Sequence, residues 1–175
     1  NSLLYLPDNM PDPNAPEYNS AVIAAALPIL KASKGRAFLL FTSHRALRES
    51  ANQLLDANLP CPLLVQGDLP RDRLLIKFRQ TPNAILLGTS SFWQGVDVKG
   101  EALSCVIIAK LPFAAPDDPI LQARIQQLKN QGRNAFGELQ LPAATTALKQ
   151  GAGRLIRDTT DRGVLMICDP RLLNR

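Results

Sequence analysis

This sequence has no phosphate-binding loop. No Gly-Lys-Ser/Thr triplet occurs in its 175 residues, no GxGxxG opens a helix-compatible run, and no Asp-Glu pair follows a strand candidate to hold a magnesium ion. A self-contained Walker-type nucleotide site and a dinucleotide-binding turn are both excluded. Paired cysteines are missing too. Cys61, Cys105 and Cys168 are scattered with no CxxC, and His44 is the only histidine. That argues against a zinc or iron–sulfur site within this stretch, so no metal ligand is assigned. The cysteines read instead as reduced, structural thiols of a cytoplasmic protein, two of them buried in apolar runs. Long hydrophobic runs are absent: the longest, such as Ala21 to Leu27, are too short to cross a membrane, and the start has no charged segment leading into an apolar one. Neither a membrane anchor nor a signal peptide is expected. The chain starts at Asn1 rather than Met, which reads as an excised piece of a longer protein. Acidic charge is the scarcer sign, with 15 Asp and Glu against 20 Lys and Arg; the net charge of +5 favours a polyanionic partner without requiring one.

What is present is an alternation of short apolar runs and amphipathic stretches. Residues 1–16 carry Pro7, Pro11, Pro13 and Pro16 behind Leu3-Leu4-Tyr5-Leu6, and read as an extended, Pro-rich lead-in. Residues 17–175 read as one domain. Glu17 to Lys34 is a helix candidate with Pro28 as a kink or break and Gly35 as its end. Ala37–Phe41, Leu63–Val65, Ala84–Leu87, Leu103–Ala109 and Gly163–Cys168 are five strand candidates, apolar throughout as strands buried on both faces are, with Leu103–Ala109 the longest. Between them lie a helix capped by Ser43 with Leu47, Ala51 and Leu54 as its stripe, and one over Pro70–Arg79 with Leu74, Leu75 and Phe78 inward. A third is capped by Asp117 or Asp118 with Leu121, Ile125 and Leu128 as its stripe and Gly132 at its C′ position. Arg133–Gln140 reads as a loop, and a last helix starts around Leu141. The pattern predicts an α/β fold: a parallel sheet with helices on both faces.

Ligands of open parallel sheets gather at the carboxyl ends of the strands. Here those ends release Thr42-Ser43-His44-Arg45, Gln66-Gly67-Asp68, Gly88-Thr89-Ser90-Ser91-Phe92-Trp93-Gln94 and Lys110-Leu111-Pro112-Phe113. Small donors, amides, bases and aromatics with few acids suit a phosphodiester backbone and its bases. Each loop alone is explained better by capping, turns and aromatic packing; four of them on one edge shift the balance modestly toward the phosphodiester. In the last helix, Gln150, Arg154 and Arg157 are spaced i, i+4, i+7 and would share a face if it continued. Two guanidiniums and an amide suit a polyphosphate; a solvated basic helix end explains them equally. Phosphate-reading residues without the parts that bind and cleave a nucleotide indicate half of a two-part site.

The stretch Gln150-Gly151-Ala152-Gly153-Arg154-Leu155-Ile156-Arg157 resembles motif VI of superfamily 2 helicases in the form used by the DinG/XPD group. Gly88 to Asp97 resembles motif V of that group, Phe41-Thr42-Ser43 motif IV and Val65-Gln66-Gly67 motif IVa; Leu111-Pro112-Phe113 with Asp117-Asp118-Pro119 is similar to the bacterial DinG/YoaA branch. The resemblance implies the second RecA-like motor domain, a P-loop NTPase type without its own P-loop, of an ATP-dependent 5′-to-3′ DNA helicase in repair and replication. ATP with Mg²⁺ would be bound mainly by a first motor domain, and a 4Fe–4S cluster would belong to the parent protein outside this chain.

Carried over residue by residue, the resemblance makes Arg157 the arginine finger, Arg154 a second phosphate or interdomain contact, and Gln150 a group positioning nucleotide or attacking water. Gly95, Asp97 and Gly153 would lie near the nucleotide. Thr42, Ser43, His44, Gln66, Thr89 and Ser90 would face single-stranded DNA, with Phe92 and Trp93 stacking or packing. Gln94 departs from the Glu often found in the group, which removes an ionic role there. The implied partners are single-stranded DNA, the first motor domain, and a replisome subunit such as clamp-loader chi or single-strand-binding protein. The competing reading is a DNA-binding or protein-docking module with vestigial ATPase motifs.

Overall fold

The computed structural model describes residues 2–89, 92, 103–113, 118–153 and 162–173. Its strands are β1 (Ser2–Tyr5), β2 (Ala37–Phe41), β3 (Leu63–Val65), β4 (Ile85–Thr89), β5 (Cys105–Ile108) and β6 (Gly163–Ile167). They form one sheet in the order β1-β6-β5-β2-β4-β3, with every pair parallel. The helices are α1 (Tyr18–Ala32), α2 (His44–Asp56), α3 (Arg71–Gln80), α4 (Pro119–Asn130) and α5 (Leu141–Ala152).

The strands are apolar throughout because both faces are covered. All five residues of β2 are buried. Side chains alternate across a strand, so Ala37, Leu39 and Phe41 join one core with Val22, Ala26 and Leu30 of α1 and Leu47, Ala51 and Leu54 of α2. Phe38 and Leu40 point the other way, into a second core with Leu74, Leu75 and Phe78 of α3. Partly buried Ala147 and Leu148 of α5 pack on that second core.

Several expectations change. The lead-in segment is not merely extended: residues 2–5 are an edge strand, with Ser2–Tyr5 in register with Gly163–Met166 of β6. Sequence hides this because a four-residue apolar run with no alternation carries no pairing information. β5 covers only Cys105–Ile108 and is shorter than β2, β4 and β6. Pro28 lies inside α1 without ending it. Leu121, Ile125 and Leu128 of α4 are only half-buried, and none of that helix's residues is core. Its ends are as expected. Asp118 accepts from the Ile120 and Leu121 amides, and Gly132, at φ +68°, closes a Schellman turn in which Gly132 N–H donates to Lys129 O and Arg133 N–H to Leu128 O. Phe136–Gln140, expected within a loop, is a π-helical turn running into α5.

Candidate nucleic-acid interface at the strand ends

Because every strand is parallel, all the carboxyl ends emerge on one edge. Read across the sheet, that edge presents Gln66 after β3, Thr89 ending β4, Thr42 and Ser43 after β2, Lys110 after β5 and Asp169 after β6. At a strand spacing of roughly 4.8 Å, β3 to β6 spans about 19 Å.

The centre of the row is a cleft of about 270 Å³ at the ends of β2 and β5, lined by Asn14, Tyr18, Thr42, Ser43, Arg45 and Lys110 among others. Thr42, Ser43, His44 and Arg45 are exposed. Ser43 is extended and caps α2, its Oγ accepting from Ala46 N–H at 3.2 Å, and the exposed start of the helix borders the cleft. Arg45 pairs with Glu49 at 2.8 Å, and Glu49 also accepts from Asn19 at 2.7 Å. The Arg45 hydrogen bond, followed by that of Asn19, holds the Glu49 carboxyl below its ordinary value. Lys110 Nζ donates to Pro13 O at 3.2 Å and to Asn14 Oδ1 at 3.1 Å. The Pro-rich segment is thereby drawn back over the strand ends and forms one wall of the cleft.

The β3–β4 end is closed. Gln66 Oε1 accepts from both Thr89 N–H, at 2.6 Å, and Thr89 Oγ1, at 3.1 Å, and Thr89 is only 5% exposed. Arg48 pairs with Asp68 at 3.0 Å and donates to Gln66 O at 3.3 Å, bracing the same turn. Phe92 is buried: it packs edge-on against Phe38 and lies under the Arg71 guanidinium, 5.7 Å from its centroid. Of the two roles expected of Phe92, packing is the one its burial favours. Gly88 makes that packing possible, since a Cβ there would sit 2.9 Å from Phe92 Cβ.

Beneath the β5–β6 end, Tyr18 donates from its hydroxyl to Ala109 O at 2.6 Å. Burial, and then the negative charge of Asp169, push the phenol well above its usual range. Asp169, 2% exposed, accepts from Leu111 N–H at 2.9 Å, from Arg171 N–H at 3.1 Å and from the Arg171 guanidinium. Burial raises its carboxyl, but the hydrogen bonds from Arg171 and the two amides outweigh it, and the net shift is downward. Cys105 and Cys168 are pushed up to about 12, chiefly by burial, so both are thiols at neutral pH.

Gln150 is exposed in the last turn of α5, Gly151 beside it is buried, and Gly153 is the C-cap. Ser90, Trp93, Gly95, Asp97, Arg154 and Arg157 lie outside the described residues. So the structure brings Gln66 to Thr89, and Thr42 and Ser43 to Lys110, while Gln150 stands at the end of a different element. Sequence reasoning missed Tyr18, Arg48 and Asp169 as organisers of the edge. An acid directly after an apolar strand, in Asp169-Pro170, was a signal available for the last.

Among the described residues no group of three or more His, Cys, Asp or Glu could hold a metal ion, and no helix is long and apolar enough to cross a membrane. The profile of the helicase C-terminal domain family matches residues 26–175. The chain is 49% identical over 174 residues to the ATP-dependent DNA helicase YoaA of Escherichia coli K12, covering 99% of this chain and 27% of that protein. It is 39% identical over 171 residues to the ATP-dependent helicase DinG of Mycobacterium tuberculosis, covering 97% of this chain and 26% of that protein. The chain thus spans about a quarter of the length of these relatives. Among solved structures, an XPD helicase superposes with a TM-score of 0.77 at 20% identity, over 99% of this chain and 32% of that one, which gives the fold as RecA-like. The chain belongs to the family of helicase C-terminal domains.

Proposed function

We propose that residues 17–175, with β1 completing the sheet, act as the second motor domain of a cytoplasmic ATP-dependent DNA helicase of 5′-to-3′ polarity working in repair and replication. The observation that carries this is the strand-end edge: exposed Thr42, Ser43 and His44 at the start of α2, with Arg45 and Lys110 lining the cleft beside them. Hydroxyls, a helix N-terminus and cations are the donors that follow a phosphodiester backbone. Gln66 and Thr89 extend the row, Thr89 by fixing Gln66. Ser90 and Trp93 are assigned to the same track.

ATP with Mg²⁺, when bound, supplies the energy-yielding phosphoryl transfer, and a preceding motor domain would hold most of it. Gln150 is exposed and polar at the end of α5, which fits a contact made across a domain boundary. Arg157 is assigned as the arginine finger, Arg154 as a second phosphate or interdomain contact, and Gly95, Asp97 and Gly153 as near neighbours of the nucleotide. A 4Fe–4S cluster is assigned to the parent chain. The buried Cys105 and Cys168, held as thiols, do not fit it. A replisome subunit such as clamp-loader chi, or single-strand-binding protein, is the class of partner such a motor would meet.

Replacing Arg157 by Ala in the intact helicase tests the reading. An arginine finger is worth roughly 10³–10⁵ in rate, so turnover collapses while single-strand affinity, set by the strand-end edge, holds. Near-normal hydrolysis in that variant removes the assignment. Normal unwinding after both Arg154 and Arg157 are replaced would instead favour a docking module with vestigial motifs.

A further inference from the structure

Two aromatic side chains at the β5–β6 end are built for a contact that nothing above uses. Phe136 is 51% exposed, the most exposed position for so large a ring in this domain's described residues. It lies against Phe113 with centroids 5.7 Å apart and planes inclined by 35°. Phe113 in turn lies under the Arg171 guanidinium, 5.0 Å from its centroid. The stack is held from below. Asp169, buried, fixes the Arg171 guanidinium and the Leu111 amide together, and Phe113 N–H donates to Leu111 O at 2.8 Å in a tight turn.

The other side is held as firmly. Phe136 opens the π-helical turn, a conformation that recurs at functional sites. Asn134 Oδ1 accepts from Gly137 N–H at 3.1 Å, and Arg133 pairs with Glu138, so the turn presenting the ring is braced across its base. A large apolar ring, exposed yet packed on Phe113 and carried on a braced turn, is placed to receive a flat partner at low entropic cost.

We propose that Phe136 and Phe113, backed by Arg171, form a base-stacking platform for single-stranded DNA at the β5–β6 end of the strand-end edge. The proposal rests on the single-strand reading above and gives it a base-contacting element. It commits to nucleic acid rather than protein on position: the Arg171 guanidinium on its face is paired with Asp169, but Phe113 follows β5 on the same strand end as Lys110, beside the phosphate-type donors of the central cleft. Backbone donors beside an aromatic shelf are the combination that binds single strands without sequence preference. Phe92, expected to stack or to pack, is buried, which leaves Phe113 and Phe136 as the rings available for stacking among the described residues of this edge.

The test uses the intact helicase and a short oligothymidylate carrying one 2-aminopurine, whose fluorescence is quenched by stacking. Phe136→Ala is expected to weaken binding by roughly 5- to 100-fold, the worth of stacking one base, and to abolish the quenching. Phe136→Trp restores both, and Phe136→Leu does neither. Leu55→Ala, at a still more exposed position on α2, changes nothing. Full affinity with Phe136→Leu would overturn the platform, because an aliphatic side chain cannot stack on a base. Unchanged affinity with Phe136→Ala, in a protein that binds the strand, would overturn the platform and leave the single-strand reading standing. Failure of the unmodified helicase to bind the oligonucleotide would remove both.

Discussion

The strand-end edge contains the same chemical pair twice. On the β4 side Arg71 lies over Phe92, and on the β6 side Arg171 lies over Phe113. The two do opposite jobs. Phe92 is 2% exposed and locked against Phe38, with Gly88 cleared to admit it, so Arg71 is a lid on the core. Phe113 is half-buried, leans on the exposed Phe136, and is covered by an arginine anchored to a buried carboxylate. The first arrangement consumes its aromatic surface in folding. The second preserves it at the surface, ordered and facing out. An arginine–phenylalanine contact therefore carries no functional meaning by itself; the burial of the ring and the anchoring of the arginine decide it.

The sharpest way to break this comparison is to remove each ring in turn. Phe92→Ala should destabilise the domain by about 3–4 kcal/mol, the cost of emptying a packed aromatic site, measured by urea unfolding. Phe136→Ala should cost under about 1 kcal/mol, because the ring is half in solvent already. Comparable losses would mean that the exposed stack is structural and that the contrast is false. An effect smaller than that of Phe92→Ala is expected at the glycine that admits the ring. Gly88→Ala places a Cβ 2.9 Å from Phe92 Cβ, and the forced shift should cost about 1–3 kcal/mol. Combined with Phe92→Ala that cost should largely vanish, since the clash partner shrinks.

The sequence was most legible where burial on both faces demands continuous apolar runs. Ala37–Phe41, Leu63–Val65 and the stripes Leu47, Ala51, Leu54 and Leu74, Leu75, Phe78 stand where periodicity put them. It was least legible where pairing is decided at a distance. Nothing local tells Leu3-Leu4-Tyr5 to join a strand more than 150 residues away, or tells Pro13 and Asn14 to meet Lys110. Of the candidate site, the common edge of Thr42, Ser43, Gln66 and Thr89 could be read from strand ends, but the bonding of Gln66 to Thr89 depends on β3 lying beside β4, which no local pattern gives. The rings could not be told apart. Phe92 and Phe136 are both aromatics near polar turns, and only the depth of the neighbouring cores separates them.

The anchor beneath the exposed stack offers a small effect and the most specific one. In the folded chain the Asp169 carboxyl is held below its ordinary value, because the hydrogen bonds from Arg171 and the amides of Leu111 and Arg171 exceed the cost of its burial. The folded state therefore binds fewer protons at this group than the unfolded chain does. The stabilisation is complete above the unfolded carboxyl's value of about 3.9 and is lost as pH falls through the folded value. Asp169→Asn removes that linkage and keeps one acceptor, so at neutral pH it should cost about 1–2 kcal/mol, the range for a hydrogen bond to a charged group discounted for the exposed Arg171 side. Unfolding free energy measured between neutral pH and about pH 3 should then fall less steeply in the variant than in the parent. The Tyr18 phenol, pushed upward partly by the Asp169 charge, should titrate closer to its ordinary range in the variant. Parallel acid limbs would show that Asp169 does not hold the β5–β6 end together, and the contrast with the closed β3–β4 end would lose its anchor.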